Sequence, residues 1–523
     1  VSPSDHLVIV PIVLPLVAGA AMLLVDERRL GLKGAISIVT ALALVATAIA
    51  LVSLVDASER QVYRLGDWPA PFGIVLVADR LSALMVLLAS VLGFASLVYS
   101  TARWHRAGPR FHALLLFLLM GVNGAFLTGD LFNLFVFFEV LLAASYALAL
   151  HGSGAARVRG SLHYIVVNLA ASLLFLIGAS LIYGATGTLN LADLALRVPG
   201  LVARDRVLFE TGAAILGIAF LVKAGMWPLC FWLPGVYSAA SAPAAALFAV
   251  LTKVGVYVVL RTWLLFFGAE AGASAGFGGE WLAYGGMATL AFGAIGVMAS
   301  QDFARLASYS LLVSSGTLLA AIGMGSAPVT SAALYYLVAS TLGVSALFFL
   351  TELMERGRPP GADMLAVTAE AFLGPDEDPD PEEEVGIVIP ATMALLGVSF
   401  ACCAVILAGL PPLAGFIGKL ALLHALLGND PIPAASWIML VLLIVSGFAT
   451  IIGMARAGVR RFWASQDEKV PRVRVVEIAP IVLLLGLCAA LTIEAGAAMR
   501  YVDAAAHALH APRSYIDHVL SPP

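Results

Sequence analysis

The stretch LFNLFVFFEVLLAASYALAL, residues 131–150, is apolar along nearly its whole length but carries one carboxylate, Glu139, near its middle. Twenty residues of helix are about 30 Å long, the thickness of a bilayer's hydrocarbon core. A charge at the centre of a membrane helix costs about 2.5–3.5 kcal/mol on insertion scales. Glu139 therefore needs a partner, a function, or both.

The same texture runs through the chain. Its 523 residues are 61% hydrophobic and 12% charged, with a mean hydropathy of +0.98, whereas soluble domains keep about a quarter of their residues charged. An ordinary soluble domain is excluded, and a net charge of −4 without a basic stripe excludes nucleic acid as a partner. Fourteen runs have the length of a span: 7–25, 34–55, 80–100, 110–128, 131–150, 163–184, 208–237, 242–260, 281–300, 305–325, 329–351, 386–427, 435–455 and 476–498. The first run has no basic segment before it and reads as a span, not a cleaved signal. The expected fold class is an all-α polytopic membrane protein of about 14 transmembrane helices. Two runs are too long for one straight helix. The first, 208–237, holds Pro228 and Pro234, and the second, 386–427, holds Pro411 and Pro412. Broken helices within a membrane are tolerated where protein or a cavity satisfies the freed backbone, which points to a transport site.

Arginine and lysine concentrate in the loops around 28–33, 103–110, 157–159, 356–358 and 456–474. By the positive-inside tendency these loops are cytoplasmic and both termini lie outside. The segment 352–385, with GPDEDPDPEEE at 374–384, reads as a solvated acidic loop. Residues 499–523 have no span of their own and are expected at the outer surface or against a partner. The four cysteines sit in apolar runs without metal-ligand spacing, so no metal or cofactor site is expected.

Of five lysines, Lys33 and Lys469 lie in loops, and Lys223, Lys253 and Lys419 lie inside apolar runs. Burial disfavours the charged ammonium, so a buried lysine can load and release a proton, whereas arginine never deprotonates. Glu139 is the expected counter-charge: beside a lysine it holds the ammonium protonated, and separation favours release. Proton transfer is therefore assigned to Glu139, Lys223, Lys253 and Lys419, with His424, Ser340 and Asp130 as candidate relays. Asp79, Asp302 and Glu352 lie at span ends, where a solvated carboxylate is the simplest reading. GFIGKL at 415–420 fails as a nucleotide loop, because Leu413 stands where a glycine is required and no Ser or Thr follows Lys419.

Spans 4–8 and 9–13 read as two inverted five-helix repeats, each with an aspartate before its second helix (Asp130, Asp302) and a broken fourth helix bearing a lysine (Lys223, Lys419). The expected divisions are 1–109, 110–260, 281–455 with its acidic loop, and 456–523.

DLFNLFVFFEVLLAASYAL, FLVKAGMWPLCFWLPGVYSAASAPAAALFAVLTKVGVY and GLPPLAGFIGKLALL resemble the antiporter-like membrane subunits of respiratory complex I and of Mrp-type cation/proton antiporters. Lys419, RAGVRRFW at 456–463 and the length make the D-type subunits of Mrp antiporters the better match. The resemblance implies a ten-helix inverted-repeat core and a proton path along the membrane midplane. In that path Glu139 and Lys223 are the coupled pair, Lys253 the connecting relay and Lys419 the exit-side lysine. It also implies membership of a hetero-oligomeric complex. Relatives often carry histidines where this chain has Cys230 and Tyr237, and a histidine and lysine where it has Ser340 and Val344, so the half-channel through span 11 uses hydroxyls and water or lies elsewhere.

The expected function is the proton-translocating subunit of a multisubunit sodium/proton antiporter, a transporter and not an enzyme. The rivals are a redox-driven subunit of complex I or a related hydrogenase, and a membrane scaffold with inert ion pairs.

Overall fold

A backbone in hydrocarbon must satisfy its own hydrogen bonds, so the apolar runs fold as helices. The structure, a computed structural model, describes residues 5–356, 391–428, 431–462 and 472–521. The acidic stretch 374–384 and Lys469 lie outside the described residues. The chain opens with α1 (Val10–Leu23), α2 (Leu30–Ser58) and an antiparallel hairpin, β1 (Arg60–Arg64) and β2 (Val75–Asp79). There follow α3 (Arg80–Ser100), α4 (Phe111–Leu127), α5 (Leu131–Ala149), α6 (Ala155–Thr186), α7 (Leu191–Arg197), α8 (Ala203–Ala224), α9 (Leu233–Ala239) and α10 (Ala242–Phe267). The second half holds α11 (Gly279–Ala299), α12 (Phe303–Gly323), α13 (Ala327–Glu355), α14 (Ala391–Ala408), α15 (Ala414–Leu426) and α16 (Ala434–Phe462). The chain closes with α17 (Val475–Ile493), α18 (Ala495–His510) and α19 (Arg513–Leu520).

Among the described residues, 12 helices are long and apolar enough to cross a membrane. The shorter α1 and α4 pack alongside them, and α15 continues the span that α14 opens, which accounts for the runs read from the sequence.

Local chemistry sets the ends. The Asp79 carboxylate accepts from Ser82 N at 2.9 Å while Ser82 Oγ accepts from Asp79 N, a capping box that starts α3. Asp130 and Asp302 cap α5 and α12 with the carboxylate alone, accepting from Asn133 N at 2.9 Å and Arg305 N at 2.7 Å. The two long runs break as expected. Each first half ends on a glycine in the left-handed region, Gly225 after α8 (φ +73°) and Gly409 after α14 (φ +79°), and prolines follow.

The helices differ sharply in burial. Every residue in the most apolar window of α10 is buried, against 94% for α13, 89% for α12 and 28% for α17. The core is therefore α10 with α12 and α13, and the more exposed helices form a rim around it. Close approach is built from small residues: a Cβ on Gly286 of α11 would collide with the backbone of α12 at Ala320.

The connections sort onto two faces. On one, the first turn of the chain packs on the hairpin, α19 packs on β1 and α7, and α18 packs on α3 and α13. Both described ends thus share a face, and the C-terminal helices pack against it. The opposite face carries Arg103, Arg356 and Arg474 close together. There Arg356 donates to Glu477 at 2.8 and 3.1 Å and to Glu352 at 3.1 Å, and Glu352 accepts from Trp104 Nε1 at 2.6 Å. Glu352 is therefore the centre of an ionic network, not a solvated carboxylate, because the α13 end meets the α3–α4 connection there.

Candidate functional site

Lys223 occupies the last turn of α8, at the helix break and not in mid-helix. The helix stops one residue later, at Ala224, so the lysine's long apolar run divides there. Lys223 is 6% exposed, its Nζ has no hydrogen-bond partner among the described residues, and it sits 4.8 Å over the centre of the Phe138 ring. The aromatic face supplies a cation–π contact where no oxygen does. Glu139, the next residue on α5, is half-buried and accepts from Ser172 Oγ of α6 at 2.5 Å. No direct ion pair joins Glu139 to a lysine among the described residues.

Lys253 lies near the middle of α10 and is fully buried. Its Nζ donates to Ser314 Oγ of α12 at 2.7 Å, and Ser314 shares a 2.8 Å hydrogen bond with Ser340 Oγ of α13. Ser340 is thus joined to the central lysine through hydroxyls. α10 holds this lysine against the first break, since a Cβ on Gly255 would lie 2.5 Å from Ala224 N and 2.8 Å from the Lys223 carbonyl carbon.

Lys419 is 6% exposed and donates to the Ala408 carbonyl, the last residue of α14, at 2.9 Å. The final carbonyls of a helix have no intrahelical donor and carry the negative end of its dipole. Lys419 therefore caps α14 from the following half-helix. Lys223 precedes its prolines and Lys419 follows its own, yet both stand at the C-terminal end of the first half of a broken helix. Gly418, beside Lys419, lies against the backbone of Tyr336, and this brings the hydroxyl cluster's helix up to the second break.

Two candidate relays are not brought to this chain. His424 is exposed in the last turn of α15; five residues rotate a helix by about 140°, away from the face of Lys419. Asp130 is spent on capping α5 at the face of the termini. Cys230 and Tyr237 are buried, and Tyr237 donates to the Phe248 carbonyl at 3.0 Å.

Sequence reasoning missed Ser172 and Ser314, whose hydroxyls are unremarkable in a helix until a neighbouring helix supplies the partner. It also missed a buried pair. Asp79 is no solvated carboxylate: Arg261 of α10 donates to it twice, at 2.5 and 2.8 Å, and neither residue exceeds 7% exposure. Burial pushes the Asp79 carboxyl up, but the Arg261 guanidinium against it outweighs this and holds it at about 2.

The family described as NADH:quinone oxidoreductase/Mrp antiporter, TM, matches residues 128–452. The chain is 58% identical over 530 residues to a Rhizobium meliloti protein named as the probable D-type subunit of a K(+)/H(+) antiporter, covering 99% of this chain and 98% of that one. It is 35% identical over 522 residues to the D-type subunit of the Na(+)/H(+) antiporter of Alkalihalophilus pseudofirmus, covering 99% of each. Among solved structures it matches a chain of the Mrp complex from Dietzia sp. with a TM-score of 0.81 at 25% identity, over 100% of both chains. A chain of respiratory complex I from Thermus thermophilus matches with a TM-score of 0.76 at 22% identity, over 98% of this chain and 100% of that one, and bears on the fold alone.

Proposed function

This chain belongs to the NADH:quinone oxidoreductase/Mrp antiporter family of membrane subunits, among its D-type antiporter members, and on that premise we propose that it carries protons in a multisubunit monovalent cation/proton antiporter. The observation that carries the reading is Lys253, fully buried on the most enclosed helix and held by hydroxyls of two others. A scaffold has no use for an ammonium there; a proton carrier does, because lysine can give its proton up and take it back.

In the proposed cycle Glu139 and Lys223 form the switch. Their approach closes an ion pair and keeps Lys223 protonated. When Glu139 turns to Ser172, as here, Lys223 loses that support and rests on Phe138. The proton then moves along the midplane by way of Lys253, Ser314 and Ser340 to Lys419. The helix end that Lys419 caps receives a cation when the lysine is charged and loses one when it is not.

The inverted repeats at 110–260 and 281–455 belong to the same proposal. They are supported by the aspartate caps, which lie on opposite faces, and by the two breaks, whose first halves run inward from opposite faces. The arginine-rich face is assigned to the cytoplasm and both termini to the outside. The partners are the other subunits of the antiporter. The cation is the open variable: sodium is the sequence expectation, while the Rhizobium meliloti relative bears a potassium name. Redox-driven pumping is the weaker reading, because the relatives at 58% and 35% identity are antiporter subunits.

The test measures proton movement driven by sodium and by potassium in everted vesicles holding the whole complex. Glu139→Ala, Lys223→Ala and Lys419→Ala are each expected to abolish exchange while the complex still assembles. Lys253→Arg keeps the charge, removes the titration and is expected to fail as well. Normal exchange in all four sinks the proton-path reading.

A further inference from the structure

The face of the termini carries a cavity of about 410 Å³ between the start of α3 and the C-terminal helices, lined by Glu59, Arg60, Asp79, Arg80, His507 and Ser514 among others. Asp79 reaches it while paired twice to Arg261. Arg261 lies on α10 eight residues beyond Lys253, about 12 Å along the helix axis. Tyr257 stands between the two on the same helix face, four residues from each. A column of polar side chains thus leads from an aqueous cavity toward the central lysine.

The chemistry of the column opposes conduction. Arginine keeps its proton, and the Asp79 carboxylate is occupied by two of its donors, so the pair has no proton to hand on toward Lys253. Tyr257 donates its one proton to the Phe126 carbonyl at 2.5 Å, and its oxygen faces Arg261 Nη2 at 3.3 Å. A hydroxyl committed in this way does not pass a proton toward Lys253. The rings of Tyr257 and of Tyr515, from α19, lie 5.5 and 5.4 Å from the guanidinium and wall it in. The C-terminal tail therefore helps to build the enclosure.

We infer that the Arg261–Asp79 pair is an electrostatic plug, insulating Lys253 from the cavity on the face of the termini. Protons reach Lys253 along the membrane and not down α10, which keeps proton flow coupled to the cation. The inference rests on the reading of Lys253 as a proton carrier.

The test uses vesicles holding the whole complex. The double substitution Asp79→Asn with Arg261→Gln keeps a hydrogen-bonding pair of similar size and removes both charges. The expected result is that an imposed pH gradient decays severalfold faster than in wild type when monovalent cation is absent, at equal amounts of assembled complex. Adding Lys253→Ala should restore the wild-type decay. Asp79→Asn alone retains the cation, should stay as tight as wild type, and stands in if the double variant does not assemble. A plain packing role lowers assembly without a leak. Wild-type decay in the assembled double variant, or a leak in Asp79→Asn, overturns the plug. A leak that survives Lys253→Ala overturns the claim that Lys253 is the group insulated. The carrier role of Lys253 fails separately, by normal cation-driven exchange in Lys253→Ala itself.

Discussion

Replacing Gly409 with alanine tests the geometry that holds Lys419. Gly409 ends α14 at φ +79°, a conformation that costs an L residue roughly 1–2 kcal/mol. The new Cβ would collide with Lys419 Cδ and sit 3.2 Å from its Cε, inside the 3.4 Å where ordinary contact begins. The lysine stem is flexible, so it yields first, and what is lost is the 2.9 Å bond from Nζ to the Ala408 carbonyl. A hydrogen bond to a charged group contributes about 1.5–3 kcal/mol. The whole effect is therefore about 2.5–5 kcal/mol. Gly325 is the control: it too has a positive φ, +66°, but nothing lies within 4 Å of its prospective Cβ, so alanine there adds strain and moves no lysine. Cation-driven proton exchange, normalised to assembled complex, should fall in Gly409→Ala to the level of Lys419→Ala and stay near wild type in Gly325→Ala. Wild-type exchange in an assembled Gly409→Ala complex would refute a transport role for the bond to Ala408. Equal loss in both glycine variants would make backbone strain the cause.

Two further outcomes follow from the ionic groups. Arg356→Ala leaves Glu477, whose side chain is 3% exposed, buried without its guanidinium partner; breaking such a pair costs about 3–5 kcal/mol, and a thermal assay should show early loss of the complex. The Asp79 carboxyl titrates at about 2 in the fold against 3.8 when free, so its stabilisation is complete above the free value and is lost as pH falls through about 2. The stability gap between wild type and Asp79→Asn should therefore be flat from neutral pH down to about 5 and shrink only below about 4; a gap that closes near neutral pH would contradict the bidentate pair.

Much of this architecture is legible without coordinates, for identifiable reasons. A span needs a fixed length of apolar chain, so residues 80–100 and 131–149 can be bounded almost to the residue. The ends of α6 are less legible, because Arg157 and Arg159 lie in its first turns and the helix begins before its apolar run does. The cost of a buried charge makes Glu139, Lys223, Lys253 and Lys419 stand out in any reading. His424 could have been set aside from helix geometry alone, since its offset from Lys419 turns it to another face.

Partners are a different matter. Ser310 and Ser314 sit one turn apart on α12, yet Ser310 bonds back to the Leu306 carbonyl while Ser314 holds Lys253. The difference lies in what α10 and α13 place opposite each. Asp79 and Arg261 meet across 182 positions of sequence, and nothing near either residue announces the other. Lys223 and Lys419 lie on opposite sides of their prolines, and only the paths of the broken helices show that both stand at the end of a first half.

The number of spans, the places where two of them break and the charged side chains that must be buried are thus properties of the amino-acid order, because each follows from the length and polarity of a local segment in hydrocarbon. Packing settles which hydroxyl meets which lysine, that Glu139 stands apart from Lys223, and that an arginine–aspartate pair lies between the central lysine and one face of the membrane. Those depend on how helices far apart in the chain rotate and pack, which no single segment encodes.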